Sequence, residues 1–472
     1  MGKTSSRGVI FLYNLRRHVL EEIQASQPDQ VLRIYCCGPT VYNLAHIGNF
    51  RTFLLQDVLR RLLLTSGYKV KFVRNITDVD DKTIRGSQQA GVSLNNFTQH
   101  WVDCFHRDSK ELNILAPDVE PRATGHIAEQ IAMIQRLVDK GHAYTTVDGS
   151  VYFRIASFPD YGKVSGIALA QLESQATNSA GQRNQSDEYS RDHVCDFALW
   201  KAYKPEDGDV FWESPWGRGR PGWHIECSAM AQKYLGPTID IHGGGIDLCF
   251  PHHENEVAQS ECATKEPFVR HWFHSVHLLI EGQKMSKSLG NIYTLKDFSE
   301  KGYDAATVRY ALISAHYRQT LNFTQASLEA AQSALKKLRA HVTAMGISRA
   351  VERRPVSEWH FFNKAMEALQ QDLNTPKCLG ELFTVLNQRP TIQADFINEL
   401  LTILWILGLY EPLLEQQERV QEIPPEIAAL AEERKRAKAQ KQYAEADRLR
   451  AQINAKGWSI TDQKDGYQLM PN

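Results

Sequence analysis

Three side chains in the middle of the chain carry the donor set of a transition-metal site. Cys227, His252 and Glu256 offer one sulfur, one imidazole nitrogen and one carboxylate oxygen, the ligand types a tetrahedral zinc accepts. They lie in WHIECSAMAQKYLGPTIDIHGGGIDLCFPHHENE, residues 223–256. His252 and Glu256 are four apart. A helix opening at Pro251, a residue tolerated at a first helical position, therefore puts both on one face. Cys227 must come from another element, and Cys37, in YCCGPTVYNLAHIGN, is the candidate fourth ligand. Against this, free cysteines are usually small buried hydrophobes, and a His-His pair is more often structural. HHENE is also not the HExxH pattern of zinc peptidases, because its second histidine would fall on Val257.

Two other strings suit a polyphosphate. His46-Ile47-Gly48-Asn49 stands where a helix should begin after a strand, a place where free N–H groups and the helix dipole favour anions. Gly48 lets a ligand approach the backbone, and His46 and Asn49 can donate to phosphate oxygens. The loop EGQKMSKSLGN, residues 281–291, sets Lys284 and Lys287 three apart among serines, point charges suited to a phosphoryl group in transfer. Taken alone, the first string is as well read as a surface histidine near a cap, and the second as an exposed charged loop. Gly243-Gly244-Gly245 reads as a loop where backbone comes close to a ligand or another strand. Asp247 after it could hold a ribose hydroxyl or an α-amino group.

The elements that must position these residues follow from periodicity. Leu32–Cys36 is a strand that Gly38-Pro39 breaks. A helix runs from His46 to about Ser66, with Phe50, Phe53, Leu54, Val58 and Leu62 on its apolar positions, and Lys69–Ile76 is the next strand. That order is a βαβ unit and implies a parallel sheet. Helices are expected over 94–112 and 124–141, and strands over 143–154, Asp196–Tyr203, Thr238–His242 and Val269–Ile280. Residues 171–192 hold almost no apolar side chains and read as a solvated loop. From Ala305 the chain reads as a helical bundle. Leu328, Ala331, Leu335, Leu338 and Val342 form one apolar stripe, and Trp359–Gln371, Leu379–Asn387 and Ile397–Leu407 are further helices. Pro424-Pro425 marks a boundary before a basic helix, Glu432–Gln442. Asp465-Gly466 between two β-type runs signals a hairpin. Trp458, at its start, reads equally as an RNA contact or as core.

Composition narrows the class. The chain has 472 residues, 42% hydrophobic and 23% charged, with a formal net charge of −1, so any RNA contact must use a local basic patch. Eight cysteines over this length make no disulfide scaffold and point to a reducing compartment. Apolar runs such as Leu400–Tyr410 are too short to span a bilayer. The start MGKTSS formally fits a myristoylation pattern at Gly2, with no second lipid signal after it. The cytoplasm is the default compartment, no membrane partner is expected, and nothing suggests a dimer seam, so a monomer is expected.

Taken in order, a cysteine before HIGN, the WHIECSAM…HGGGIDL…FPHHENE block, KMSKSLGN and the helical tail resemble a class I aminoacyl-tRNA synthetase, and specifically the cysteinyl-tRNA synthetase family. The resemblance runs from about residue 31 to the C-terminus. It implies an α/β Rossmann-type catalytic domain with a parallel sheet, split by an insertion, followed by an α-helical bundle and a small C-terminal module. The bounds it suggests are a lead-in over 1–30, catalytic halves over 31–113 and 223–304, an insertion over 114–222, a bundle over 305–415 and a C-terminal helix and hairpin over 420–472. It also implies that Cys37, Cys227, His252 and Glu256 bind one zinc, which in turn binds the substrate cysteine's thiol. By the same resemblance Gly38, Thr40, Thr77, Trp223, His242 and Asp247 line the cysteine and adenylate pocket, and Lys287 contacts the phosphates of ATP, which enters with Mg2+. One departure stands out: Asn49 ends the first motif where many relatives have histidine.

The chemistry suits such a site. Cysteine and serine differ by one atom, and shape alone separates near-isosteres poorly. A thiol ionises readily on a metal, whereas an alcohol does not, so zinc would sort them and no proofreading site would be needed. The implied reaction joins the cysteine carboxylate to the α-phosphorus of Mg·ATP and then passes cysteine to the 3′-terminal adenosine of tRNA(Cys). His46 and Asn49 would lie on one side of the triphosphate, Lys284 and Lys287 on the other. A ligase that passes the same adenylate to a small amine is the nearest rival, and the long helical tail counts against it. A catalytically silent RNA-binding or zinc-structural protein is countered by the intact motifs. A zinc hydrolase is countered by the missing HExxH.

Overall fold

The run VLRIYC is β-branched and aromatic and buries alternate residues, so it forms a strand in the middle of a sheet. It is β3 (Val31–Cys36), preceded by an antiparallel hairpin of β1 (Phe11–Asn14) and β2 (Val19–Glu22) and followed by α1 (Ile47–Thr65) and β4 (Lys69–Arg74). In this computed structural model the described residues are 8–15, 17–166, 183–184, 196–286, 289–347, 356, 358–388, 392–414, 424–440, 442–463 and 466–471. Next come α2 (Asp81–Ala90), α3 (Leu94–Glu111) and α4 (Ile127–Asp139). A second sheet holds β5 (Ala143–Thr145), β6 (Val151–Phe153), β7 (Arg183–Asn184), β8 (Asp196–Ala202) and β9 (Gly219–Pro221). Then follow α5 (Trp223–Leu235), β10 (Ile239–Gly245), α6 (His252–Thr264) and β11 (Val269–Ser275).

The central sheet has the order β11-β10-β3-β4, and every neighbour pair is parallel. The chain winds outward from β3 to β4 and, in the other direction, from β10 to β11. In such a sheet ligands bind outside the carboxyl ends of the strands, where the order reverses. Here that place lies between the ends of β3 and β10, just where Cys37 and Gly245 stand.

Helix α1 lies over this sheet and carries buried charges. Arg51 donates to the carbonyls of Val276, His277, His316 and Gln319 at 2.5–3.2 Å. Asp57 accepts from Arg61 Nε at 2.9 Å, Arg309 Nη2 at 2.6 Å and Leu115 N at 2.9 Å. The two guanidiniums hold the Asp57 carboxyl below its usual range despite burial, which acts the other way. Arg309 also donates to the Leu407 carbonyl at 2.7 Å. A side chain on Gly408 would lie 2.1 Å from that guanidinium.

Past the central sheet come β12 (Leu278–Ile280), β13 (Gln283–Lys284), α7 (Leu295–Glu300), α8 (Ala305–Ile313), β14 (Leu321–Phe323) and α9 (Gln325–Ala344). They are followed by α10 (Asn363–Gln370), α11 (Thr375–Asn387) and α12 (Ala394–Ile406). The chain ends with α13 (Pro425–Ala439), α14 (Tyr443–Ala455) and the antiparallel hairpin β15 (Trp458–Gln463) and β16 (Gly466–Pro471). Two compact units result, one from Met1–Lys336 with Arg353–Leu409, the other from Lys337–Glu352 with Tyr410–Asn472. In the second, Ile427, Ala431, Ile453, Ile460 and Leu469 form a core, and Trp458 packs against it.

Several expectations need correction. Gly243–Gly245 is not a loop but the end of β10, hydrogen-bonded within the sheet. The apolar alternation expected of a strand fails there because the space is filled by neighbours' side chains. Pro251 is the N-cap of α6, not its first helical residue. The strand expected over Val269–Ile280 breaks after Ser275, where the Val276 and His277 carbonyls turn to Arg51. The helical region beyond Ala305 includes a short strand, β14, pairing parallel to β12. The basic helix starts earlier than expected, at Pro425, and α2 and α14 were not anticipated. Of residues 171–192 only β7 is described. Asp465, the first residue of the expected Asp-Gly hairpin signal, lies outside the described residues.

Candidate active site

The turn after β3 is set by Gly38. A Cβ there would lie 1.6 Å from the Asn75 carbonyl oxygen, so only glycine fits. Gly38 N donates to Asn75 Oδ1 at 2.9 Å. Thr40 and Thr77 form a parallel bridge beside it, with Val41 N donating to the Thr77 carbonyl at 3.1 Å. This clamp presents Cys37. Cys227 comes from the first turns of α5, where a Cβ on Gly222 would meet the Ala198 carbonyl at 2.2 Å. His252 and Glu256 project from one face of α6, as their spacing requires.

These four expected ligands meet. Each offers a ligand atom, and all four atoms lie within 4.8 Å of one another in a buried site. Cys37 Sγ is 3.9 Å from Cys227 Sγ and 3.7 Å from Glu256 Oε1. His252 Nε2 is 3.0 Å from Glu256 Oε1. Burial pushes both thiols up, but hydrogen bonding from Cys37 and the His252 charge bring Cys227 down to about 6, whereas Cys37 stays well above the usual thiol range. Burial likewise raises Glu256, yet His242 and His252 hold it down to about 2. Burial lowers His252, yet Glu256 and Cys227 hold it up to about 10. A buried thiolate beside a buried carboxylate is a charge pattern that a dication neutralises, and two sulfurs, an imidazole and a carboxylate are donors that zinc takes. The residues present fit that ion.

A cleft of about 470 Å3 opens above this floor and collects Cys37, Gly38, Thr40, His46, Gly48, Asn49, Trp223, Asp247 and Lys284 in its walls. Trp223 packs tilted against His252 with ring centres 4.4 Å apart. Thr77 and His242 are not in the walls. Thr77 is buried within the clamp it helps to form, and His242 is buried with Nε2 2.9 Å from Glu256 Oε2. A larger cleft, about 840 Å3, opens between β1–β2 and β11 and holds none of the expected residues.

At the mouth, His46 caps α1. Its Nδ1 accepts from Asn49 N at 3.1 Å, and Asn49 Oδ1 accepts from His46 N at 3.1 Å. This capping box uses the acceptor atoms only. Burial lowers the His46 pKa, with Asp247 opposing, and because Nδ1 accepts from Asn49 N, the ring's free N–H is at Nε2. His46 Nε2–H and the Asn49 amide hydrogens therefore remain as donors. The lysine loop is tied to the same turn: Ile47 N donates to the Tyr293 carbonyl at 2.9 Å, and His46 bridges Thr294. Met285 covers Gly48 so closely that a Cβ there would lie 2.4 Å from Met285 Cε. Lys287 lies outside the described residues.

Sequence reasoning missed the second layer. His224 Nδ1 lies 2.9 Å from His252 Nδ1, and His274 Nε2 lies 2.8 Å from His253 Nδ1. The glycines of β10 make room for this layer, since a Cβ on Gly244 would meet the His253 ring at 2.8 Å. The only sequence signal was the adjacency of His253 to His252.

Residues 23–333 match the family model described as tRNA synthetases class I (C) catalytic domain. The cysteine–tRNA ligase of Opitutus terrae is 52% identical over 454 residues, covering 96% of this chain and 97% of that protein. The cysteine–tRNA ligase of Chlamydia abortus is 43% identical over 486 residues, covering 99% and 98%. Among solved structures, Mycobacterium tuberculosis methionyl-tRNA synthetase in complex with methionyl-adenylate aligns with a TM-score of 0.54 at 14% identity, covering 82% of this chain and 91% of that one. The LeuRS–tRNA–LeuAMS complex of Agrobacterium radiobacter aligns at 0.56 and 12% identity, covering 84% and 85%. The last two bear on fold alone. With its four-donor floor below a capped HIGN turn and its likeness to two ligases over nearly their full length, this chain belongs to the cysteine–tRNA ligase family of class I tRNA synthetases.

Proposed function

We propose that this protein activates L-cysteine with ATP and transfers it to the 3′-terminal adenosine of tRNA(Cys). The observation that supports this best is the meeting of Cys37, Cys227, His252 and Glu256 beneath a cleft that Cys37 lines together with His46, Gly48, Asn49 and Lys284. These four residues would hold zinc, which would supply a Lewis acid that favours the substrate thiol over serine's hydroxyl. Asp247 receives the α-amino group, and Trp223 walls the thiol end of the pocket. Gly38, Thr40 and Thr77 fix the turn that carries Cys37.

The cysteine carboxylate then faces the α-phosphorus of Mg·ATP. His46 Nε2–H and the Asn49 amide donate to phosphate oxygens from one side; Lys284 and Lys287 supply positive charge from the other. No covalent enzyme intermediate is needed, so catalysis is positioning plus charge stabilisation. Residues 31–113 and 223–304 form the catalytic domain around the insertion 114–222, and the regions 305–415 and 420–472 hold the tRNA. The chain works as a monomer in the cytoplasm. Among the described residues no helix is long and apolar enough to cross a membrane.

The test is ATP–pyrophosphate exchange with cysteine and with serine, beside charging of bulk tRNA, with and without a zinc chelator. Cysteine-only exchange and chelator-sensitive charging are expected. Exchange without charging would replace tRNA by a small amine as acceptor. No exchange with metal-replete protein would overturn the ligase.

A further inference from the structure

Buried beneath the cleft is a second donor set, of which Cys37 alone lines the cleft. Cys37, His242, His253 and Glu256 also bring one ligand atom each within 4.8 Å of one another, all of them buried. The two sets share Cys37 and Glu256. Cys227 and His252 belong to one alone, His242 and His253 to the other.

The second set is built as the first is. Its Cys37 Sγ lies 3.5 Å from His253 Nε2, and Glu256 turns Oε2 toward His242 at 2.9 Å while Oε1 faces His252 at 3.0 Å. Glu256 thus points one oxygen into each set. In each set one imidazole has its far nitrogen held by another histidine: His252 by His224 at 2.9 Å, His253 by His274 at 2.8 Å. Such partners fix the tautomer and orient metal-ligating histidines. Trp272 stacks on His242 and packs tilted against His253, with ring centres 4.9 Å away from each. That is the rigid apolar backing a ligand pair needs, and the glycines of β10 leave the rings their space. Two buried imidazoles beside one buried thiol and one buried carboxylate are costly as bare core, and a bound cation satisfies them.

We infer that Cys37, His242, His253 and Glu256 form a second position for a borderline-soft divalent cation, so that one ion passes between a two-thiolate set and a one-thiolate, two-imidazole set. Both sets keep the two shared ligands, and the ion exchanges only Cys227 and His252 for His242 and His253. With both thiols ionised on the metal, the first set presents three negative charges to the ion and the second presents two. The ion in the second set therefore keeps more Lewis acidity toward an incoming thiol. This inference rests on the reading of Cys37, Cys227, His252 and Glu256 as the zinc set.

The experiment loads metal-stripped full-length protein with cobalt(II) alone. It reads cobalt per chain and the intensity of the thiolate-to-cobalt charge-transfer band. Cys227→Ser is expected to keep its cobalt with the band reduced to about half, because one thiolate remains. Adding His253→Gln to that variant should release the metal, as should Cys37→Ala alone. Wild type that takes no cobalt would sink the zinc reading together with this inference. Cobalt in the wild type but no more in Cys227→Ser than in Cys37→Ala would overturn the inference alone. Should circular dichroism show Cys227→Ser unfolded, X-ray absorption of the cobalt-loaded wild type decides: fewer than two sulfur neighbours per cobalt are expected, and two would overturn it.

Discussion

At the floor of the cleft Cys37, Cys227, His252 and Glu256 are 6%, 2%, 1% and 0% exposed. At its mouth Asn49 and Lys284 are exposed and His46 is half-buried. The floor is drawn from three elements, β3 with its turn, α5 and α6, and every donor there touches another donor or a supporting histidine. The mouth is drawn from one helix cap and the short strand β13, whose His46, Asn49 and Lys284 line the open cleft. The difference follows from what each must do. Telling a thiol from a hydroxyl calls for ligands fixed before the substrate arrives, in surroundings that strengthen electrostatics. Handling a triphosphate calls for charges that meet a large, hydrated, highly charged group as it enters and leaves, and buried unpaired lysines would be costly there.

The largest expected effect tests the floor. Cys37→Ala, which removes a thiol common to both donor sets, should lower metal affinity more than about 100-fold, beyond what loss of a supporting residue does, and cysteine-dependent exchange should fall with it, as it should on chelation. Metal analysis of the variant alongside exchange checks this. A variant that keeps its zinc and loses exchange would separate the thiol from metal binding.

The frame common to both regions comes next. Asp57→Ala leaves Arg61 and Arg309 buried without their carboxylate and should cost about 3–5 kcal/mol in denaturant unfolding. The Asp57 pKa is depressed in the folded protein. Its contribution is therefore present above the unfolded value of about 3.9 and is lost as pH falls through the lower folded value. Unfolding curves taken from neutral pH down into that acid range should show this part of the acid loss missing in Asp57→Ala. An unchanged acid profile would mean that the pair of guanidiniums does not hold α1.

Smaller effects probe the mouth. Lys284→Ala should lower adenylate formation about 100-fold, the scale of a lost charge-stabilising donor, with little change in cysteine binding. Lys287→Ala is expected to behave alike. Equal losses in binding and in chemistry would mean that the loop acts on the floor, and the contrast between the regions would fail. Gly48→Ala is the mildest. Its Cβ would press on the flexible end of Met285, a cost of about 1 kcal/mol. A modest rise in KM for ATP is expected, relieved by Met285→Ala, and an effect that Met285→Ala does not relieve would place the conflict in the backbone.

Much of the local structure was legible. The apolar positions of α1, the four-residue spacing of His252 and Glu256, and the stripe Leu328, Ala331, Leu335, Leu338 and Val342 are all buried as their periods require. Gly243–Gly245 misled, because glycine breaks a strand's pattern equally when it ends the strand and when it makes room for a neighbour. α2 was missed because its mean character is polar and only Thr83, Ile84 and Ser87 are buried. Trp458, left open between core and RNA contact, packs on the core of the second unit.

The sequence by itself determined which donors exist, which two share a helix face and where the chain must turn, since these depend on residue type and on spacing within one element. The tertiary structure alone decided that Cys37 lies 3.9 Å from Cys227 across 190 residues of chain. It alone ranged His224, His242, His253 and His274 around them, turned the two oxygens of Glu256 in opposite directions, and spent the acceptors of His46 and Asn49 on a helix cap. Contacts between elements depend on sheet order and packing, and no local period encodes those.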